Sequence, residues 1–189
     1  EMYAEGDQRR DGGIYNHLET VGGDYGFNVN NGRWQSTGYF NRKIIARING
    51  NHDCLGDGNL AHCNNYRVYR YAETLLAYAE SMANAFPSDM NHTDSEHPYS
   101  ALWALNQVRS NAGMPLVPLC GYEEFMERLR NEWRVEFAFE DHRFWDVRRW
   151  KIGSDTQREL AGVKIRKSAS GTLNYYRQVC ETRSWSDRM

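Results

Sequence analysis

The chain has 189 residues, a formal net charge of −2 and an apolar fraction of 40%. This length suffices for one domain with a sizeable core, and the even mixture of charges argues against a nucleic-acid binder, which would show a basic face. Mean hydropathy is −0.81, and no apolar run is long enough to span a bilayer. Aromatic residues reach 13%, which suits either a core or a surface that binds carbohydrate or protein.

Residues 1–65 are predicted to be a loop-rich region that carries the ligand site. Glycine pairs and the Asn-Asn-Gly turn at residues 30–32 interrupt it. Sugar rings stack on aromatic side chains, and their hydroxyls need amide or guanidinium partners. The predicted glycan-binding residues combine both kinds: Tyr25, Phe27, Asn28, Asn30, Arg33, Trp34 and Tyr39. Alternatively, these aromatic residues pack onto helices beneath the loop, although polar neighbours on both sides of Trp34 favour the ligand role.

Three disulfide pairings are open to the four cysteines, Cys54, Cys63, Cys120 and Cys180. Cys54 and Cys63 bound a short polar loop, so they could form a local disulfide in an oxidising compartment. With His52 and His62 they could instead bind zinc, but the spacing matches no usual zinc finger. Oxygen-bearing side chains in the same loop could suggest a calcium site, but their order does not fit an EF-hand loop: Asp53, Asp57 and Asn59. We therefore predict no metal and no cofactor.

Two helices are predicted in the middle of the chain. Residues 66–86 place apolar side chains on one helical face, and Pro87 ends the helix. The inward positions are Tyr69, Ala72, Leu75, Leu76, Ala79, Ala83 and Phe86. The second helix covers residues 99–112, with Pro98 in its first turn and Gly113 after its end. Together they predict an αα-hairpin similar to one tetratricopeptide unit.

Residues 122–153 form the central segment of the sequence. A helical stripe runs through Phe125, Leu129, Trp133 and Phe137. Charges lie among these apolar residues, and charges next to a buried surface must pair. The predicted ion-pair network comprises Glu73, Glu80, Arg109, Glu132, Glu136, Glu140, Arg143, Asp146 and Arg149. Glu136 and Glu140 could instead be a catalytic acid/base pair, but arginines within helical reach favour salt bridges, so no catalytic residue is predicted.

Short β-strands are predicted on either side of the helices. Residues 44–48 are an apolar strand candidate, and residues 163–165 and 175–179 are β-branched, aromatic or alternating. Residues 168–171 supply a turn between the last two.

Three of these segments resemble the motifs of the SusD/RagB family. Residues 131–150 resemble its ERRxELAFEGxRxxDLRRW signature, with Trp133 in place of an arginine and Asp141 in place of a glycine. Residues 70–80 resemble its RyAEvlLnyAEA helix. Residues 105–115 resemble its LNxVRxRAGxP motif, with Asn111 in place of an arginine. The residues from Asp7 to Arg9 also resemble the D-x-R element of the family.

The resemblance implies a mainly α, SusD-like helical fold with a tetratricopeptide-like αα-hairpin, long loops and a few short β-strands. Residues 1–189 would be a single C-terminal fragment: a ligand region (1–65), a helical core (66–153) and a truncated β-containing tail (154–189).

By the same resemblance, the protein is a non-enzymatic surface lipoprotein of the outer membrane, whose N-terminal lipid anchor is absent from this fragment. It would capture oligosaccharides and act as the lid of a SusC-type TonB-dependent transporter. The alternatives are a peptide-binding, RagB-like member, a protein-interaction scaffold, or a helical glycoside hydrolase.

Overall fold

The computed structural model describes residues 3–15, 20–21, 25–26, 40–41, 43, 67–156, 159–168, 170 and 172–184. The chain divides into two compact units. One contains Glu1–Asp11 and Tyr66–Arg143, and the other contains Gly12–Asn65 and Phe144–Met189. Among the described residues, no helix combines the length and apolarity that a membrane crossing requires.

The N-terminal elements are short. Helix α1 spans Gln8–Gly13, and the Asp7 carboxylate accepts a hydrogen bond from the Arg9 backbone N–H at 3.0 Å, which caps the helix start. Four two-residue strands follow as antiparallel pairs: β1 (Ile14–Tyr15) with β4 (Phe40–Asn41), and β2 (Thr20–Val21) with β3 (Tyr25–Gly26). Sequence periodicity did not predict α1. The predictions for residues 44–48, Cys54, Cys63 and the possible calcium ligands lie outside the described residues.

Helix α2 spans Tyr71–Ala85 and is shorter than the predicted range 66–86. Its inward face buries Leu75, Leu76, Ala79, Met82 and Ala83, and Pro87 follows the helix as predicted. The expected inward position of Tyr69 is wrong, because this residue precedes the helix and is 62% exposed.

Helix α3 spans Ala101–Asn111, inside the predicted range 99–112. Pro98 is not in its first turn. Ser100 is the N-cap instead, and its hydroxyl accepts a hydrogen bond from the Trp103 N–H at 3.0 Å. Gly113, with φ of 69°, follows the helix end in the left-handed conformation that favours glycine. Helices α2 and α3 pack against each other as the predicted αα-hairpin.

The central segment forms two helices rather than one. Helix α4 spans Tyr122–Glu136 and buries Phe125 and Leu129 completely, worth roughly 2 kcal/mol for each side chain. The chain then turns through residues 137–141, where Phe139 and Asp141 have φ of 64° and 63°. Helix α5 spans His142–Arg149. Asp141 thus adopts a left-handed conformation at the position where the family commonly has glycine.

The C-terminal tail is a β-hairpin, in agreement with the strand predictions. Strand β5 (Glu159–Lys167) pairs antiparallel with β6 (Leu173–Thr182). The register changes between Leu160 and Ala161, which marks a β-bulge. At the other end, the Ser168 N–H donates to the Thr172 carbonyl oxygen at 2.8 Å and closes the turn.

Candidate functional site

Most of the predicted glycan-binding residues lie outside the part of the chain that the structure describes: Phe27, Asn28, Asn30, Arg33, Trp34 and Tyr39. Tyr25 is described by its backbone alone, in strand β3, where it pairs with Val21. Their role as a ligand site therefore stays a prediction.

The best-defined polar cluster of the described residues is an ion-pair network centred on Glu132. This carboxylate lies on α4, and its side chain is only 1% exposed. It accepts a hydrogen bond from Arg9 through Oε1 and one from the Arg109 Nη1 at 2.8 Å through Oε2. Both oxygens of a buried charge are thus matched by guanidinium groups, which offsets the cost of removing the charge from water.

Arg9 joins Glu132 to two other carboxylates. Its Nε and Nη2 each donate to Asp7 at 2.9 Å, which makes a bidentate pair. Its Nη1 also donates to Glu136 Oε2 at 3.0 Å. The first turn of α1 is thereby fixed to α4 across 123 residues of sequence.

A second arginine, Arg70, connects Glu136 of the network to Glu140. It donates to Glu136 Oε1 at 2.6 Å, to the Glu136 carbonyl oxygen at 2.7 Å and to Glu140 Oε2 at 2.8 Å. Its guanidinium carbon lies 4.1 Å from the centre of the Phe137 ring, within cation–π range. Arg70 therefore holds the end of α4 and the turn that follows it.

These contacts shift the ionisation of the network. Burial acts to lower the pKa of Arg9, but hydrogen bonds to Asp7, Glu132 and Glu136 outweigh it and raise the pKa overall. The pKa of Arg70 is raised in the same way, with Glu140 and Glu136 opposing burial. Burial acts to raise the pKa of Asp7, but the bonds to Arg9 lower it overall. Asp7, Arg9 and Arg70 are thus stabilised in their charged forms.

Several predicted pairings differ from the observed ones. Glu73 faces His142 at 3.5 Å, and Arg109 binds Glu132 and the Pro115 carbonyl oxygen. From the sequence we expected Glu73 and Glu80 to pair with arginines such as Arg109 or Arg143, and Arg109 binds Glu132. Helical spacing could not rank the partners of Arg109, because Glu132 belongs to another helix.

The remaining predicted members of the network lie on helices α2 and α5. Glu80 is buried on α2, and Arg143 is half-buried near the start of α5. Asp146 is also buried, and its Oδ1 accepts a hydrogen bond from Arg149 Nη2 at 3.0 Å within α5.

Three members of the network were not predicted from the sequence: Asp7, Arg9 and Arg70. A signal was available, since Asp7 and Arg9 form the D-x-R element and Arg70 opens the second family motif. The carboxylates of α4 that Arg9 and Arg70 bind lie 66 or more residues away, so no local periodicity could connect them.

The described residues contain no group of three or more His, Cys, Asp and Glu side chains placed to hold a metal ion.

The sequence profile of the SusD family matches residues 2–186, nearly the whole chain. The chain belongs to the SusD family. This membership confirms the resemblance that the three motifs indicated.

Solved structures agree with the SusD assignment. A SusD-like protein from Bacteroides fragilis is 32% identical with a TM-score of 0.75, over 96% of this chain and 34% of that one. Surface glycan-binding protein A from Bacteroides uniformis is 26% identical with a TM-score of 0.59, over 98% of this chain and 34% of that one. A SusD superfamily protein from Parabacteroides distasonis is similar in fold, at 19% identity and a TM-score of 0.52 over 92% of this chain and 32% of that one.

The chain thus spans about a third of the length of these SusD-like structures. The predicted mainly α, SusD-like fold is confirmed by the helices observed and by this similarity. No curated protein gives a match to the chain.

Proposed function

We propose that this chain is part of a surface glycan-binding protein that captures oligosaccharides for nutrient uptake. The observation that supports this most strongly is the SusD family match over residues 2–186. The similarity to a surface glycan-binding protein from Bacteroides uniformis points the same way.

The proposed ligand site is the aromatic and amide-rich stretch from Tyr25 to Tyr39. Trp34 would be the main stacking platform for a sugar ring, since a tryptophan offers a large flat apolar face. Asn28, Asn30 and Arg33 would hydrogen-bond the sugar hydroxyls. The mixture of aromatic, amide and guanidinium side chains in this stretch supports the assignment.

The role proposed for the protein is binding without catalysis. A glycosidase needs two carboxylates that face an open cleft, one of them able to donate a proton. Glu136 and Glu140, the closest candidates, both bind the guanidinium of Arg70. The two side chains are only 13% and 14% exposed, so their arrangement supports a structural role.

The proposed partner is a SusC-type TonB-dependent transporter, over which the protein would act as a hinged lid at the outer-membrane surface. An N-terminal lipid anchor would hold it there. Family membership supports this arrangement. Purification of the epitope-tagged protein from detergent-solubilised outer membranes should recover a TonB-dependent barrel in stoichiometric amount, and recovery of the tagged protein alone would refute the partnership.

Affinity electrophoresis in gels that contain single polysaccharides tests the ligand site. We expect one glycan to retard the full-length protein and expect Trp34→Ala to abolish the retardation. Trp145→Ala is a matched control, because Trp145 is a tryptophan that is 67% exposed and lies outside the proposed site.

Each outcome has a defined meaning. Retardation that survives Trp34→Ala would keep the function and move the site elsewhere. If no glycan retards the protein, the glycan-binding proposal fails, and a peptide ligand or a protein-interaction scaffold becomes the better account.

A further inference from the structure

Beyond the Leu160–Glu181 pair, one face of the β5–β6 hairpin carries only polar side chains and one aromatic ring. The register pairs Lys164 with Tyr176 and Arg166 with Asn174, and it places Gln178 opposite Gly162. Because side chains alternate between the two faces of a strand, these five side chains share one face. All five are exposed. We name this set, Lys164, Arg166, Asn174, Tyr176 and Gln178, the outer face of the hairpin.

The outer face is positively charged. Within the described part of the chain, neither Lys164 nor Arg166 forms a salt bridge. The carboxylates of the hairpin have other partners, since Glu159 pairs with Arg177 at 3.3 Å. Glu181, opposite Leu160 near the end of the hairpin, pairs with Arg183 at 3.2 Å. The five side chains of the outer face therefore include two cations and no carboxylate.

Tyr176 is a neighbour of both cations across the hairpin. Its ring is 51% exposed, and the Arg166 guanidinium carbon is 5.8 Å from the ring centre, at the limit of a cation–π contact. Lys164 is directly opposite on the paired strand, with the Cβ atoms about 5 Å apart in such a pair. The ring is thus flanked by positive charge and keeps about half of its surface accessible.

This combination suits a charged sugar. An exposed aromatic ring can contact the apolar face of a pyranose, and the amides of Asn174 and Gln178 supply donors and acceptors for hydroxyls. Lys164 and Arg166 complement a carboxylate or a sulfate, because charge-assisted hydrogen bonds to such groups are stronger than neutral ones. A neutral glycan would offer neither cation an anionic group to bind.

We propose that the outer face of the hairpin binds an anionic oligosaccharide, one that carries uronic acid carboxylates or sulfate groups. This inference rests on the proposed glycan-binding function and names a class of ligand for it.

The test compares affinity electrophoresis of the full-length protein in gels with four polymers. Polygalacturonate and its carboxyl-reduced form differ only in the carboxylate, and dextran sulfate and dextran differ only in the sulfate. The test variants are Lys164→Gln/Arg166→Gln and Tyr176→Ala. The control is Arg177→Gln/Arg183→Gln, which also removes two cations, both of which are paired with glutamates of the hairpin.

We expect the protein to be retarded by at least one anionic polymer and not by its neutral counterpart. The Lys164→Gln/Arg166→Gln variant should raise the dissociation constant about tenfold or more, since charged hydrogen bonds contribute factors of this size. Tyr176→Ala should weaken binding as well, and the control should stay within about twofold because charges beyond the contact are screened by salt. Circular dichroism should show all variants folded, since the replaced side chains are exposed.

Three outcomes would overturn the inference. If a neutral glycan retards the protein and neither anionic polymer does, the proposed function stands and the anionic site fails. If the control loses as much affinity as the Lys164→Gln/Arg166→Gln variant, the polymer is attracted by positive charge anywhere on the protein. The outer face is then not a site. If no polysaccharide of any kind retards the protein, the proposed function fails together with this inference.

Discussion

Replacement of Glu132 by glutamine should destabilise the protein strongly. The Glu132 side chain is 1% exposed and is the carboxylate that binds both Arg9 and Arg109. Arg9 retains Asp7 and Glu136 in the variant, whereas Arg109 retains, among the residues that the structure describes, the Pro115 carbonyl oxygen at 2.9 Å. Loss of one partner from a buried ion pair costs roughly 3–5 kcal/mol.

The lower end of that range applies here. Both guanidinium groups keep some contact with water, with side chains 17% and 18% exposed, so they are not left wholly unsolvated. We expect Glu132→Gln to lower the free energy of unfolding by about 3 kcal/mol. With a urea dependence of about 2 kcal/mol per molar, this moves the midpoint by about 1.5 M.

Urea unfolding followed by far-UV circular dichroism measures this shift. The matched control is Glu124→Gln, which removes the same carboxylate from an exposed pair with Arg128 on the same helix, with side chains 53% and 43% exposed. That pair should contribute no more than about 0.5 kcal/mol. A double-mutant cycle with Arg109→Met should give a coupling energy of at least about 1 kcal/mol. Equal midpoints for the two glutamine variants would refute the claim that the buried network supports the fold.

Three further predictions concern loops and helix ends. Hydrogen bonds from the side chain and backbone of His97, and from the His92 side chain, lower the pKa of Asp94. Its contribution to stability should be complete above the ordinary value of 3.8 and be lost as the pH falls through the lower folded-state pKa; an NMR titration that finds Asp94 at 3.8 or higher would contradict this. Gly113→Ala should cost about 1 kcal/mol because φ is 69°, whereas Gly12→Ala, inside α1 with no positive φ and open space around it, should not lower stability; equal thermal midpoints for the two variants would exclude this strain. Asp141→Gly should stabilise by up to about 1 kcal/mol by relieving φ of 63°, and a lower thermal midpoint would show that the aspartate conformation carries no strain.

The αα-hairpin was predictable because its signals are local. Apolar periodicity identified both helices, and Pro87 and Gly113 marked their ends. The start of α2 was placed five residues too early. Arg70 is extended, and its side chain reaches Glu136 and Glu140, a long-range pairing that helical periodicity does not reveal.

The break after α4 was not predictable from the apolar stripe. Phe137 continues the stripe and is buried, yet it is the C-cap of the helix. The left-handed residues Phe139 and Asp141 then redirect the chain. Neither is glycine, so the sequence carries no strong turn signal there.

Part of the ion-pair network was predictable from the sequence. Charges next to a buried stripe had to pair, which placed Glu132, Glu136 and Glu140 in a network before any partner was known. Asp7 and Arg9 could not be added from spacing, because their link to α4 depends on tertiary structure. The glycan-binding residues around Trp34 stay predictions.

The central claim is that the protein binds oligosaccharides, and isothermal titration calorimetry of the full-length protein tests it most directly. Titrants are a panel of neutral and anionic oligosaccharides, with a panel of peptides of similar length. The account predicts saturable heat from at least one oligosaccharide and none from the peptides. Saturable binding of a peptide, with no heat from any oligosaccharide, would contradict it.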